Sequence, residues 1–301
     1  MSKLNGQGLA RAQIITAMVF FGTIGVFVKN IDLASSEIAL YRAVIAAAVL
    51  LVVLLVTGRL KKLGLMKKQL PILFFSGVAM GFNWILLFEA YNYTSVALST
   101  LCYYFAPTLV IIASAVLLKE KLTAKQLVCF IASSAGLVMI IGVSGGGSSD
   151  LIGILYGLGA ACLYAMVVMC NKIAGKTDDI SRTWIQFISA IIVLVPYVAA
   201  TNGFHISTLD SKGLFYMIFV GVVHTGIMYC FYFASLARLR GQQAAILSYI
   251  DPLVAVILSV LWLGESISPV QLLGGALILI FALANEVKLK KDKKIVERLE
   301  G

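Results

Sequence analysis

Residues 104–127 read YFAPTLVIIASAVLLKEKLTAKQL, and residues 249–272 read YIDPLVAVILSVLWLGESISPVQL. The two stretches align without a gap at a constant offset of 145 residues, from 104 to 249. Tyr104 and Pro107 match Tyr249 and Pro252, Ser114 and Leu118 match Ser259 and Leu263, and Glu120, Gln126 and Leu127 match Glu265, Gln271 and Leu272. Upstream, Gly81 and Phe88 match Gly226 and Phe233; nearer the start of each half the offset slips, and Lys29 meets Lys172. Thr123-Ala-Lys-Gln126 and Ser268-Pro269-Val-Gln271 both have the form of a capping box, a hydroxyl with Gln three residues later. Pro269 falls at the first helical position, where its missing N–H would have had no partner. Chance similarity between apolar segments would not keep the proline, the glutamate and the cap together, so the chain is an internal repeat.

The rest of the sequence sets that repeat in a membrane. Its 301 residues have a mean hydropathy of +0.98, with 60% hydrophobic and only 13% charged residues. Soluble domains carry about 25% charge. Apolar windows fall at 12–30, 36–57, 70–91, 96–118, 124–143, 151–171, 183–200, 213–236, 243–263 and 270–287. Each approaches the ~20 residues needed to cross about 30 Å of hydrocarbon. The reading is an all-α polytopic membrane protein of ten transmembrane helices, with loops too short for a soluble catalytic module and therefore not an enzyme. The first run has no cleavage site leading into a polar chain and reads as a helix, not a signal peptide. Gly58, Gly145-Gly146-Gly147 and Asn202-Gly203 punctuate the spans.

With the N-terminus inside, all but Lys29, Arg42 and Lys212 of the 24 Lys and Arg residues lie on the cytoplasmic side. That bias places both termini in the cytoplasm of a cell-membrane protein. The +10 net charge sits in runs such as Lys61, Lys62, Lys67 and Lys68, which fits contact with anionic lipid and leaves no surface for nucleic acid. Two five-helix repeats follow, 12–143 and 151–287, with a basic cytoplasmic tail at 288–301. Five is odd, so the second repeat enters the membrane inverted. Inverted repeats place a binding site near mid-membrane, between the halves. The five cysteines all lie in apolar spans without metal spacing, and no phosphate loop or paired carboxylates occur, so the chain calls for no cofactor and no metal.

Within the spans, Asp251 is the sharpest candidate. A carboxylate at a helix centre costs about 2.5–3.5 kcal/mol and must face a cavity or a partner. Pro252 beside it frees a carbonyl in the preceding turn. Together they suit an ammonium group or a proton, unless Arg42 or His224 neutralises the carboxylate. Ser248 continues the same helical face. Arg42 either anchors a substrate carboxylate or has a structural role, snorkelling to the outer interface or holding helix ends together. His224 is a packing histidine or a second proton-coupling group beside Asp251. Asn83, Trp84, Tyr103, Tyr104, Tyr229 and Tyr249 would line the wet region, with Tyr104 and Tyr249 placed together by the repeat. Pro107, Pro252, Glu120 and Glu265 read as structural.

These motifs resemble the drug/metabolite transporter superfamily, in its ten-helix EamA-like form: Tyr41-Arg42-Ala43, Tyr104-Phe-Ala-Pro107, Leu118-Lys-Glu120-Lys-Leu-Thr123, Tyr249-Ile-Asp-Pro252 and Leu263-Gly-Glu265-Ser-Ile-Ser268. The resemblance spans nearly the whole chain and implies secondary transport of a small polar metabolite, commonly amino acids or related amines by export. A passive facilitator or channel, or an organic-cation importer of the same fold, is the alternative. Proton coupling and a homodimer stay open. Asp251 departs from the repeat, where Ala106 is its counterpart.

Overall fold

The computed structural model describes residues 2–117, 119, 122–143, 148–239 and 241–286. Among them every regular element is helical. The helices are α1 (Ser2–Val28), α2 (Ser35–Val56), α3 (Leu70–Tyr93), α4 (Val96–Tyr103 and Ala106–Leu117), α5 (Ala124–Val143), α6 (Ser148–Ala174) and α7 (Asp179–Thr201). They continue as α8 (Ser211–Leu236), α9 (Gly241–Ser248 and Ile250–Leu261) and α10 (Pro269–Glu286). Eight helices among the described residues are long and apolar enough to cross a membrane, and two shorter apolar helices, Ile246–Leu261 and Pro269–Asn285, complete the set. The capping boxes form as read: Gln126 Oε1 accepts from Thr123 N–H at 2.8 Å, and Gln271 Oε1 from Ser268 N–H at 2.9 Å. Glu120 and the 288–301 tail lie outside the described residues.

Two spans differ from their sequence reading as single helices. α4 stops at Tyr104 and α9 at Tyr249, and the two joints share one backbone conformation, φ −71°, ψ 3° and φ −75°, ψ −2°. The proline explains the break. Within the first turn of a helix its missing N–H leaves no orphan, so Pro107 and Pro252 start a new segment instead of kinking an old one. α1 also begins well before its apolar window and runs through Gly6 and Gly8 in the polar 2–11 stretch. α8 contains a π-helical stretch, Val220–Ile227, that sequence periodicity does not announce.

The packing repeats itself across the halves. α3 packs on α6 as α8 packs on α1, α3 on α7 as α8 on α2, and α4 on α6 as α9 on α1; α2 meets α7, α4 meets α9 and α5 meets α10. Individual contacts follow the same offset. A Cβ on Gly81 would meet Leu194 at 3.2 Å, and one on Gly226 would meet Val49 at 2.7 Å, and Val49 is the counterpart of Leu194. Between α5 and α10, a Cβ on Gly136 would lie 2.5 Å from the Gly274 carbonyl, and one on Gly274 lies 2.5 Å from that of Gly136. Small residues are what allow backbones this close where lipid supplies no hydrophobic drive.

Contacts between loops stay within one face or the other. On the basic face, Lys62 donates to Asp178 at 2.6 Å, and Asp178 caps α7 by accepting from Ser181 N–H. On the opposite face Ser35 donates to Glu89 at 2.6 Å, the His205 N–H to Glu37 at 2.6 Å, and Thr94 to Asp150 at 2.8 Å. Burial pushes the Asp178 carboxyl up, but the hydrogen bonds from Lys62 and Ser181 outweigh it and hold the group below its ordinary value. A depressed carboxylate stabilises the fold above its unfolded pKa, and that stabilisation fades as pH falls through the folded value.

Two outcomes are expected from thermal unfolding in detergent. Gly136→Leu loses about 1–3 kcal/mol through overpacking, whereas Gly8→Leu, with nothing within 4 Å of its Cβ, loses nothing measurable. Asp178→Asn lowers stability at neutral pH and flattens the acid limb of the stability profile relative to the parent.

Candidate functional site

The two helix joints face each other. The Tyr104 hydroxyl donates to Asp251 Oδ2 at 2.7 Å, so the joint of α4 is bonded to the first turn of the second α9 segment. The Tyr104 and Tyr249 rings lie 6.0 Å apart, and Tyr103 stands edge-on to Tyr104 at 6.0 Å. Four of the residues singled out in the sequence thus form one cluster. Asp251 sits at a helix start, where the dipole favours a negative charge, and this offsets part of the cost of holding it in the membrane.

Arg42 forms the second cluster. Its side chain is buried at 5% exposure, and its Nε donates to Thr225 Oγ1 at 2.7 Å. The guanidinium lies 4.4 Å over the Trp84 ring and 5.6 Å over Phe88. The snorkelling alternative is therefore overturned, since Arg42 points into the bundle. Thr225 is available because the π-helical turn of α8 carries its hydroxyl to the Val220 carbonyl, five residues back, at 2.9 Å. Among the described residues no carboxylate pairs with Arg42, and neither Arg42 nor His224 neutralises Asp251.

A chain of aromatic rings runs on from the Arg42 end. Trp84 meets Phe187 at 5.4 Å, Phe187 meets Tyr229 at 5.7 Å, and Tyr229 meets Phe21 at 5.5 Å. Tyr91 lies 6.3 Å from Phe88, one of the two rings under the Arg42 guanidinium.

The remaining candidates stand apart. His224 is fully buried, 2.7 Å from Thr23 Oγ1 through Nε2, and walled by Phe20, Phe27 and Phe219. Asn83 donates to the Ala160 carbonyl at 2.6 Å, which ties α3 to α6. Ser248 turns its hydroxyl to its own helix, donating to Ala244 O at 2.9 Å. Glu265 reaches across the repeats to Lys29 and to the start of α4. Sequence reasoning missed Tyr91, Phe187 and Thr225. Thr225 could have been found only from the π-helical register, which leaves no trace in apolar periodicity.

Known sequences resolve the family. EamA-like transporter domains match the chain twice, over residues 10–142 and 151–285. The chain belongs to the EamA-like transporter family. The transporter is similar to YxxF, an uncharacterized transporter of Bacillus subtilis, at 28% identity over 292 residues, which cover 96% of this chain and 92% of that protein. It also matches the threonine/homoserine exporter RhtA of Escherichia coli K12, at 25% identity over 151 residues, 49% of this chain and 50% of RhtA. A crystal structure superposes with a TM-score of 0.62 and 18% identity, over 92% of this chain and 97% of the other, a likeness of fold. This EamA-like transporter is a multi-pass membrane protein.

The Arg42–Thr225 bond supplies a check on the site. Thr225→Val removes the acceptor of a buried guanidinium N–H and costs about 1–3 kcal/mol of stability, while Thr225→Ser keeps the parental melting profile in detergent.

Proposed function

We propose that this EamA-like transporter is a secondary carrier that exports a small zwitterionic metabolite, an amino acid or a close relative, by alternating access. One observation carries the reading: a buried guanidinium and a carboxylate, not ion-paired to each other, are each set among aromatic rings. A free amino acid has the complementary charges. Its carboxylate goes to Arg42, whose planar fork can bind it in bidentate fashion, and its ammonium goes to Asp251. Tyr104, Tyr249, Tyr103, Tyr229 and Trp84 shape the space between. The partial likeness to a threonine/homoserine exporter supports this substrate class.

The repeat supports the mechanism. Two family matches divide the chain near the predicted 12–143 and 151–287 halves, and the helix contacts occur in matched pairs. With five helices per half, the axis relating the halves lies in the membrane plane, the arrangement that lets one site open to either side in turn. Both termini then lie on the basic, cytoplasmic face. Tyr104 holds Asp251 by its hydroxyl, and substrate ammonium or a coupling proton displaces that bond. His224, facing Thr23, is the second group able to hold a proton.

Counterflow into proteoliposomes, with a labelled panel of amino acids, amines and nucleosides and no ion gradient, tests the reading. Amino acids should accumulate and the other classes should not. Asp251→Asn should lower that uptake by about tenfold or more, the loss of roughly one charge-assisted contact, with the protein still folded in detergent. Full counterflow by Asp251→Asn at every pH would remove Asp251 from the mechanism. High flux without counterflow would make the protein a channel.

A further inference from the structure

We infer that Lys29 and Glu265 form a latch that holds the transporter shut on the face opposite the basic loops, and that the latch parts whenever the site opens to that face. The inference rests on the alternating-access reading and adds the residues that decide which face is closed.

Three helix ends meet at one carboxylate. Lys29 follows the last residue of α1, Glu265 follows α9, and Val96 begins α4. Glu265 Oε1 takes the Lys29 ammonium. Oε2 accepts the Ser259 hydroxyl and, at 2.8 Å, the Val96 N–H. Ser259 Oγ in turn accepts the Ala97 N–H at 3.2 Å. The carboxylate therefore satisfies orphan donors at the start of α4 and stands where that helix favours negative charge. Its side chain is only 13% exposed, so losing Lys29 would leave a largely desolvated charge without its counterion. That cost sets this pair apart from an ordinary surface ion pair.

The latch is geared to the site. Ser259 lies on the second segment of α9, eight residues beyond Asp251, or about 12 Å along the helix. One short helix thus carries the substrate carboxylate at its start and the latch near its end. The other face has a counterpart. Lys172, near the end of α6, donates to Ser114 at 3.4 Å on the second segment of α4, and Ser114 is the repeat partner of Ser259. In each case a lysine at the end of one repeat's first helix grips the fourth helix of the other repeat. The Tyr104–Asp251 bond joins the two gripped helices at their near ends. Releasing one latch while the other holds is the motion that opens one face alone.

A polar pocket of about 260 Å³ lies beside the Lys29–Glu265 latch, lined by Thr94, Leu98, Asp150, Glu265 and Gln271 among others. Leu98, at 2% exposure, is its natural reporter. In protein lacking the native cysteines Cys102, Cys129, Cys162, Cys170 and Cys230, Leu98→Cys is labelled with a membrane-impermeant maleimide from that face, without substrate. Adding Lys29→Gln should raise the labelling rate about fivefold or more, the lower end of usual coupling between states. Lys29→Arg should keep the rate of the parent. Lys212→Gln, whose ammonium lies over Tyr216 on the same face, should change nothing. In a second variant, bridging Lys29→Cys and Glu265→Cys with a cleavable bifunctional thiol cross-linker that spans the length of the Lys–Glu pair should abolish counterflow, and cleaving the bridge should restore it. Unchanged labelling in Lys29→Gln, or full counterflow with that bridge in place, would overturn the latch. Absence of counterflow in the parent would remove the carrier reading instead, because the labelling assay needs no substrate.

Discussion

Backbone that leaves its helix inside hydrocarbon has no water to turn to, so every break must be closed by protein. α4 and α9 both break, and the amides at the joints are bonded locally, Tyr104 N–H to the Thr100 carbonyl and Tyr249 N–H to that of Ile246. The two broken helices lie side by side, as α2 lies on α7 and α5 on α10. The Tyr104–Asp251 side-chain bond then ties one broken helix to the other. The same bond keeps a carboxylate hydrogen-bonded in a place where an unpartnered one would be costly.

The two halves are alike in packing and unlike in chemistry. The scaffold contacts obey the repeat, down to Gly81 on Leu194 and Gly226 on Val49. The polar groups break it. Asp251 stands where the other half has Ala106, His224 where it has Ala79, and among the described residues only α8 carries a π-helical turn, which brings Thr225 to Arg42. The buried polar groups are thus asymmetric on a scaffold whose packing is alike in the two halves.

Much of this was legible in the chain. The Tyr, Pro, Ser and Glu matches at one offset disclosed the repeat, and the capping boxes placed helix starts to the residue, because such signals act within a single turn. Tyr104 and Tyr249 were named together because the repeat matches them, and Asp251 because a carboxylate in an apolar span is costly. The breaks themselves were not read. A proline in an apolar run fits a kink or a new helix start, and apolar periodicity reads the same for both.

The sequence by itself determined the membrane setting, the helices, the repeat and its family, since these follow from hydropathy, periodicity and local capping. Only the tertiary structure decided the partners of the buried charges. Arg42 had two readings until α3 and α8 closed around it, and Glu265 looked like a hairpin residue until it met Lys29, 236 positions away. Charge pairing acts through space over a few ångströms, and residues that far apart in sequence become neighbours only after the helices have packed.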